Sequence, residues 1–213
     1  METRSWPPVV PPTPAGITEL VRQASQALLR TTWPAARTRA SYCQRSPLQA
    51  LAEGELIYTA PCADLSGLVA LGLLQAGLTP TLVLTAIKRP LQGVKFQCGL
   101  ECELEGEGWV IGFGMAASYC YRGSFVETRR RPTVLRYDAE RVDSQRPYLE
   151  WITPGGLEDL PRVIPGYDLA ADLRQHARRG ASRFRYARQR RRARDPKRAE
   201  GRGRVPGGAG RWA

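Results

Sequence analysis

The sequence predicts an α+β fold in which one buried helix packs on an antiparallel sheet. Three observations indicate this class. The segment 62–75 is apolar nearly all round, which is typical of a buried helix. Short segments rich in β-branched and aromatic residues follow it between residues 80 and 137. A hydrophobic share of 42% in 213 residues is enough for one core with appendages.

The appendages differ from this core in composition. Residues 1–15 are proline-rich and predict a disordered arm, and residues 16–165 are expected to form the α+β domain. A basic helix is predicted over 166–195 and a disordered Arg/Gly-rich tail over 196–213. Residues 174–213 hold 15 basic and 2 acidic side chains, in a chain whose net charge is +12. The rest of the chain is therefore nearly neutral, and the tail is where anions are expected to bind.

The individual elements follow from local signals. A first helix is predicted from Ile17 onward, with Thr18 as its N-cap. The helix that begins at Cys62 should end at Gly77, which stands where a left-handed residue closes a helix. LTPTLVLTAIKRP predicts a strand that stops at Pro90. KFQCGLECELEGEGWVIGFG predicts two strands joined by a turn at EGEG, and ASYCYRGSFVE and PTVLRYD predict two more.

The expected compartment is one with reduced thiols. No apolar run is long enough to span a membrane, and the first residues lack the continuous apolar region of a signal peptide. An odd number of cysteines, five, without a secretory signal favours free thiols over disulfides. We therefore expect a cytoplasmic protein, or a component inside a nucleoprotein particle, without a membrane partner.

Neither the cysteines nor the single histidine predict a metal site. Cys98 and Cys102 lie four residues apart on a predicted strand, roughly 13 Å, which is too far for two zinc ligands. With Leu100 they form one apolar strand face, so they are expected to be buried structural cysteines. His176 lies in the predicted basic helix and is interpreted as an ordinary polar helix residue. No metal or other cofactor is predicted.

Cys62 has a more specific setting, at the start of the buried helix. The positive end of the helix dipole and the unpaired N–H groups there favour a thiolate. The segment CADLSGLVALGLLQAGLTPTLVL, followed by KFQCGLECELEGEGWVIGFG, resembles the core of the transglutaminase-like branch of the papain-like cysteine hydrolases. The resemblance covers about residues 50–125. It implies a catalytic cysteine at Cys62, a histidine on a following strand and an aspartate on the strand after that.

The chain departs from that pattern at both partner positions. The expected histidine falls at Gln97, and the expected aspartate falls near Gly112 or Phe113. Gln97 cannot carry a proton to and fro near neutral pH, so the usual acyl transfer is disfavoured. Two interpretations stay open. Cys62 is either an inert residue of a pseudoenzyme fold, or a reactive thiol in an altered site with Gln97 or Glu101 beside it. These two residues share a strand face.

The basic tail predicts a nucleic-acid-binding segment. Arginine pairs with phosphate and stacks on bases, and interleaved aromatic residues add stacking surface. The residues expected to bind RNA or DNA are Arg178, Arg179, Arg183, Phe184, Arg185, Tyr186, Arg188, Arg190, Arg191, Arg192 and Arg194. The proline-rich arm is a second candidate docking segment, for a protein partner. The favoured function is thus a non-catalytic transglutaminase-like scaffold that binds nucleic acid, and the alternative is a cysteine-dependent peptidase, amidase or acyltransferase.

Overall fold

The computed structural model of the chain describes residues 6–57, 60–114 and 117–179. The main core lies between the helices and a five-stranded antiparallel sheet, which confirms the α+β class. The helices are α1 Pro14–Ala27, α2 Ala35–Ser41, α3 Pro47–Glu53, α4 Cys62–Gln75, α5 Tyr148–Ile152, α6 Leu160–Val163 and α7 over 169–179. The strands are β1 Leu29–Thr31, β2 Glu55–Ile57, β3 Pro80–Arg89, β4 Gly93–Leu104, β5 Glu107–Phe113, β6 Ser118–Arg122 and β7 Thr133–Tyr137.

Helix α4 forms where its apolar sequence predicts it. It is buried along most of its length and packs on β4 and α1. Gly77 has a φ of 77°, and its N–H donates to the Leu74 carbonyl while the Leu78 N–H donates to the Leu73 carbonyl. These bonds satisfy the last carbonyls of the helix, so the predicted glycine stop is confirmed.

The large sheet has the strand order β6-β5-β4-β3-β7, with every neighbouring pair antiparallel. The predicted hairpin between β4 and β5 is confirmed, with the turn at residues 105–106. The pairing of β5 with β4 ends at Gly112 opposite Gly99. β4 begins at Gly93, so its first residues extend beyond β5. This offset leaves one edge of β4 uncovered by β5, and the candidate site lies there.

The amino-terminal arm is ordered over its described part, so the prediction of a disordered arm is wrong for residues 6–15. The indole N–H of Trp6 donates to the Leu68 carbonyl at 3.3 Å, and Val10 is buried. Helix α1 begins at Pro14, after Thr13, whose hydroxyl accepts a hydrogen bond from the Gly16 N–H. The predicted N-cap at Thr18 is therefore wrong, because a proline is well tolerated in the first helical turn.

The carboxyl-terminal helix belongs to the same core as the rest of the domain. Its Leu169 and Leu173 pack against the main core, and Asp172, His176 and Ala177 are buried. The predicted domain boundary at residue 165 is therefore wrong for the first half of the basic helix. The remainder of that helix and the tail over 196–213 lie outside the described residues. No helix in the described ranges is long and apolar enough to cross a membrane.

Candidate functional site

A cleft of about 120 Å³ lies between the start of α4, the uncovered edge of β4 and helix α7. The polar and ionisable side chains that line it come from distant parts of the sequence. They are Tyr42, Cys62, Arg89, Gln92, Lys95, Gln97, Asp172, Gln175, His176 and Arg179. The cleft therefore joins a thiol, an imidazole and a carboxylate that the sequence interpretation had kept apart.

Cys62 is the first residue of α4, as the sequence predicts, and its side chain is 9% exposed. Interactions of its sulfur with the Cys98 thiol, the Cys98 N–H and the Ala63 N–H act to lower the pKa of Cys62. The Cys98 thiol makes the largest contribution to lowering the pKa of Cys62, and burial acts in the opposite direction. Donors around the sulfur favour the thiolate, which is the nucleophilic form.

An ion pair fixes the amino-terminal turn of α4. Asp64 lies in that turn and pairs with the guanidinium of Arg45, and both side chains are almost fully buried. Arg45 also donates to the Glu55 carbonyl at 2.9 Å and to the Glu53 carboxylate at 2.9 Å. Burial raises the pKa of Asp64 to about 6, and Arg45 opposes the rise. The pair ties the Cys62 turn to the segment around β2.

His176 lines the cleft from α7 and is 9% exposed. Its ring stacks on Tyr42 with 4.4 Å between the centroids. Its Nε2 lies 3.5 Å from Asp172 Oδ1, one helical turn earlier. Its Nδ1 is buried and has no hydrogen-bond partner among the described residues. A carboxylate beside Nε2 favours the tautomer with the proton on Nε2, which leaves Nδ1 as a proton acceptor.

Asp172 is held as a carboxylate by four donors. Lys95 Nζ lies 2.6 Å from Oδ1, and the hydroxyls of Tyr42 and Tyr167 donate to Oδ2 at 2.8 Å and 2.9 Å. Burial acts to raise the pKa of Asp172, but the bonds from His176, Lys95 and Tyr42 outweigh it and lower the pKa below its usual value. The interpretation of His176 as an ordinary helix residue is therefore wrong, since it faces a charged, buried carboxylate.

The two positions that the resemblance assigns to histidine and aspartate form a different structure. Gln97 lines the cleft, and its Nε2 donates to the Tyr119 hydroxyl at 3.0 Å. A Cβ atom at Gly112 would lie 2.1 Å from Cζ of the same tyrosine. The Tyr119 ring thus occupies the space that an aspartate at 112 would need. Gln97 and Gly112 therefore both adjoin the side chain of Tyr119.

Glu101 lies outside the cleft, so the prediction that it shares a site with Cys62 is wrong. Its carboxylate pairs with Arg136 at 2.7 Å and also accepts a hydrogen bond from the Phe125 N–H. Gln97 and Glu101 share a strand face, but Glu101 lies on the stretch of β4 that β5 covers. It has a structural role, linking β4 to β7 and to the chain before it.

The cysteines on β4 are buried, and they form the apolar face that alternation predicts. Cys98, Leu100, Cys102 and Leu104 are all at most 5% exposed. Within the described residues, no group of three or more His, Cys, Asp or Glu side chains is placed to hold a metal ion. Cys98 has a further role that the pattern did not reveal, as the residue that most strongly lowers the pKa of Cys62.

Only the first two residues of the predicted nucleic-acid-binding set are described. Arg178 is exposed, whereas Arg179 lines the cleft, and its Nη2 donates to the Gln92 side chain at 3.1 Å. The other predicted residues, Arg183, Phe184, Arg185, Tyr186, Arg188, Arg190, Arg191, Arg192 and Arg194, lie outside the described residues.

Sequence reasoning missed the pairing of Asp172 with His176. A signal was present, because DLRQH places a carboxylate and an imidazole four residues apart, on one face of a helix. Comparison with known proteins finds no matching family model, no similar curated protein and no similar solved structure. The resemblance to the transglutaminase-like branch therefore stays a prediction.

Proposed function

We propose that the cleft is an acyl-transfer site of a cysteine-dependent peptidase, amidase or acyltransferase, built on a transglutaminase-like fold. The observation that carries the proposal is that Cys62, His176 and Asp172 line or adjoin one cleft. The thiol is the nucleophile, the imidazole is the base, and the carboxylate orients the imidazole. This division of roles is the general logic of a catalytic triad.

The chemistry proceeds in two balanced steps. In the first, the Cys62 proton passes through one water to Nδ1 of His176, and the sulfur attacks the substrate carbonyl carbon. His176 then returns the proton to the departing nitrogen or oxygen, which leaves a thioester on Cys62. In the second, His176 accepts a proton from water as the water attacks the thioester. The acid is released and the thiol is restored, and an amine in place of water completes acyl transfer.

Negative charge that develops on the carbonyl oxygen needs donors. The N–H groups in the first turn of an α-helix have no acceptor within the helix, and they point toward its amino-terminal end. Cys62 starts α4, so these N–H groups lie next to the attacking sulfur. The Arg45–Asp64 pair holds that turn in place. Fixed donors of this kind stabilise a transition state without reorganising.

Selective alkylation tests the proposal. Iodoacetamide at pH 7, with peptide mapping of the full chain, should label Cys62 at least about tenfold faster than Cys120, because thiolate content sets the rate. Cys120 is a suitable internal reference, since it is half-buried and burial raises its pKa to about 11. His176→Asn should slow the labelling of Cys62, whereas Arg178→Gln, an exposed position on the same helix, should not.

Turnover gives the second measurement. The full chain should release a burst of nitrophenol from 4-nitrophenyl acetate, as expected when an acyl-enzyme accumulates, and Cys62→Ser should abolish the burst. Labelling of Cys62 no faster than Cys120, or a burst that survives in Cys62→Ser, would show that the cleft is not a cysteine site.

A second candidate function is the one favoured by the charge distribution. We propose that the Arg-rich residues 174–213 bind RNA or DNA without sequence preference, as part of a nucleoprotein particle, and that the domain is then a non-catalytic scaffold. The support is the 15 basic and 2 acidic side chains in that segment. Release of counterions from many phosphate contacts would dominate such binding.

Fluorescence anisotropy with a labelled 20-nucleotide strand tests this second candidate. The affinity should fall about 10³-fold or more between ~50 and ~200 mM salt. Helix α7 packs on the core, so a truncation that leaves the domain intact has to follow Arg179. A chain truncated there should bind much more weakly, and Cys62→Ala should bind like the unaltered protein. Equal binding by the truncated and full chains would contradict the assignment to the tail.

A further inference from the structure

A second groove, of about 860 Å³, opens beside the cleft and carries unpaired positive charge. Its cationic lining residues are Lys88, Arg89, Arg129 and Arg130, and all four are exposed. Across residues 6–57, 60–114 and 117–179, no ion pair or side-chain hydrogen bond involves any of the four. None of the described residues that line this groove is acidic. Elsewhere on the domain, exposed arginines such as Arg22, Arg122 and Arg146 each pair with a glutamate.

Main-chain hydrogen bonds fix the backbone that carries these four basic residues. Thr128 and Arg131 exchange two main-chain hydrogen bonds, of 2.7 Å and 3.0 Å, which form a tight turn with Arg129 and Arg130 at its tip. The Lys88 N–H donates to the Arg130 carbonyl at 2.9 Å and ties this turn to the end of β3. The groove is therefore formed by two linked pieces of the fold, not by side chains on a free loop.

The groove is continuous with the cleft and with the start of the Arg-rich segment. Ile87 and Arg89 line both cavities. The last described residue, Arg179, contacts Gln92 in the hairpin between β3 and β4. The described part of α7 thus ends next to the hairpin that carries Lys88 and Arg89. A single small anion would need one or two of these cations, whereas four of them, in a chain that is also Arg-rich from residue 174 onward, suit a polymer.

We propose that this groove binds the phosphate backbone of a nucleic acid and directs the strand across the mouth of the Cys62 cleft. The inference rests on the second candidate function and extends it from the Arg-rich segment to the folded domain. Lysine and arginine that lack protein partners contact phosphate without first breaking an ion pair. Arginine adds bidentate hydrogen bonds to phosphate oxygens.

The test compares two charge-matched double variants of the full chain. Arg129→Glu with Arg130→Glu alters the groove, and Arg39→Glu with Arg122→Glu makes the same change in charge at exposed positions elsewhere. With labelled oligo-dT of 20 nucleotides, the groove variant should bind about tenfold more weakly at ~0.1 M salt. Its slope of log affinity against log salt should be shallower by about 1.4, as expected for two lost single-strand contacts. The control should keep the slope of the unaltered protein.

Hydrogen exchange provides a measurement that does not depend on variants. Saturating oligo-dT should protect the amides of residues 88, 89, 91 and 128–131 in the full chain. Equal losses of oligo-dT affinity in both double variants would contradict binding in the groove. An absence of protection at these residues would contradict it as well. The same experiments separate the groove proposal from the second candidate function. If the Arg-rich segment does not bind nucleic acid, the chain truncated after Arg179 should bind as well as the full chain. Binding to phosphatidylserine vesicles that requires the groove, without binding to oligo-dT, would also overturn the proposal.

Discussion

The two buried carboxylates beside the cleft have opposite electrostatic environments. Asp64, in the turn that carries Cys62, has a single charged partner, Arg45, and burial raises its pKa to about 6. Asp172, one turn from His176, receives hydrogen bonds or ion pairs from Lys95, Tyr42, Tyr167 and His176, and its pKa is lowered. Both side chains are nearly inaccessible to solvent, at 4% and 1% exposure, but the groups that contact them differ.

The difference shows that hydrogen-bond donors and counterions offset the cost of burying these two carboxylates to different degrees. One guanidinium only partly offsets the desolvation of Asp64. Two tyrosine hydroxyls, an ammonium and an imidazole more than offset the desolvation of Asp172. Asp172 is therefore ionised in the folded protein near neutral pH. A carboxylate that orients an imidazole has to be in this charged form. Asp64 is better suited to anchoring a helix end.

The largest expected effect comes from removing the one partner of Asp64. Arg45→Ala should lower the free energy of unfolding by about 3–5 kcal/mol, because it leaves a buried carboxylate without its counterion. Urea unfolding at pH 7 measures the loss, with Arg39→Ala on exposed α2 as the control. Replacing both partners, Arg45→Met with Asp64→Leu, should recover much of the stability. A loss below about 1 kcal/mol would mean that the pair is unimportant.

The pH dependence of stability should differ in sign between the two carboxylates. The folded-state pKa of Asp64 is raised from 3.8 to about 6, so its contribution should fall by up to about 3 kcal/mol as pH rises from about 4 to 6. The folded-state pKa of Asp172 is lowered below 3.8, so its contribution is present above that pH and is lost as pH falls further.

Unfolding free energies between pH 2 and 7 can separate these contributions. Asp64→Asn should flatten the profile between about pH 4 and 6, and Asp172→Asn should flatten it below about pH 4. If both substitutions flattened the stability profile over the same pH range, the opposite pKa shifts of Asp64 and Asp172 would be contradicted.

The smallest expected effect comes from removing one of several donors. Tyr167→Phe deletes the hydroxyl that lies 2.9 Å from Asp172 and leaves Lys95, Tyr42 and His176 in place. The free energy of unfolding should fall by about 1 kcal/mol at pH 7. The rate of Cys62 alkylation should stay within about twofold, since the carboxylate remains charged. A loss of unfolding free energy as large as that in Arg45→Ala would show that Tyr167 alone, and not the set of donors, stabilises the Asp172 carboxylate.

Local patterns predicted local structure well. The all-apolar helix, its glycine stop and the β4–β5 hairpin follow from residues close in sequence, and so does Cys62 at the start of α4. His176 was misjudged because its partners are remote. Tyr42 lies 134 positions away, and the arginines around the histidine dominate the local composition. Trp6 was missed in the same way, since a proline-rich stretch gives no sign of a contact with α4.

Strand alternation correctly placed Gln97 and Glu101 on the same face of β4. It did not predict which neighbouring elements cover each end of that face. β5 runs beside Glu101 and stops before it reaches Gln97. One residue therefore pairs with Arg136, while the other lines the cleft. Which stretch of a long strand is uncovered depends on the length of its neighbour, and the periodicity of a single strand does not contain that information.

The contact of Tyr119 with Gln97 and Gly112 makes the order of substitutions matter in any attempt to move the imidazole and carboxylate onto the sheet. Gly112→Asp alone would drive a side chain into the tyrosine ring. Gln97→His alone would change the partner of the Tyr119 hydroxyl while the ring still blocked position 112. Gly112→Asp therefore requires the Tyr119 ring to rotate away or to be shortened. A directed-evolution experiment should vary Tyr119 together with positions 97 and 112.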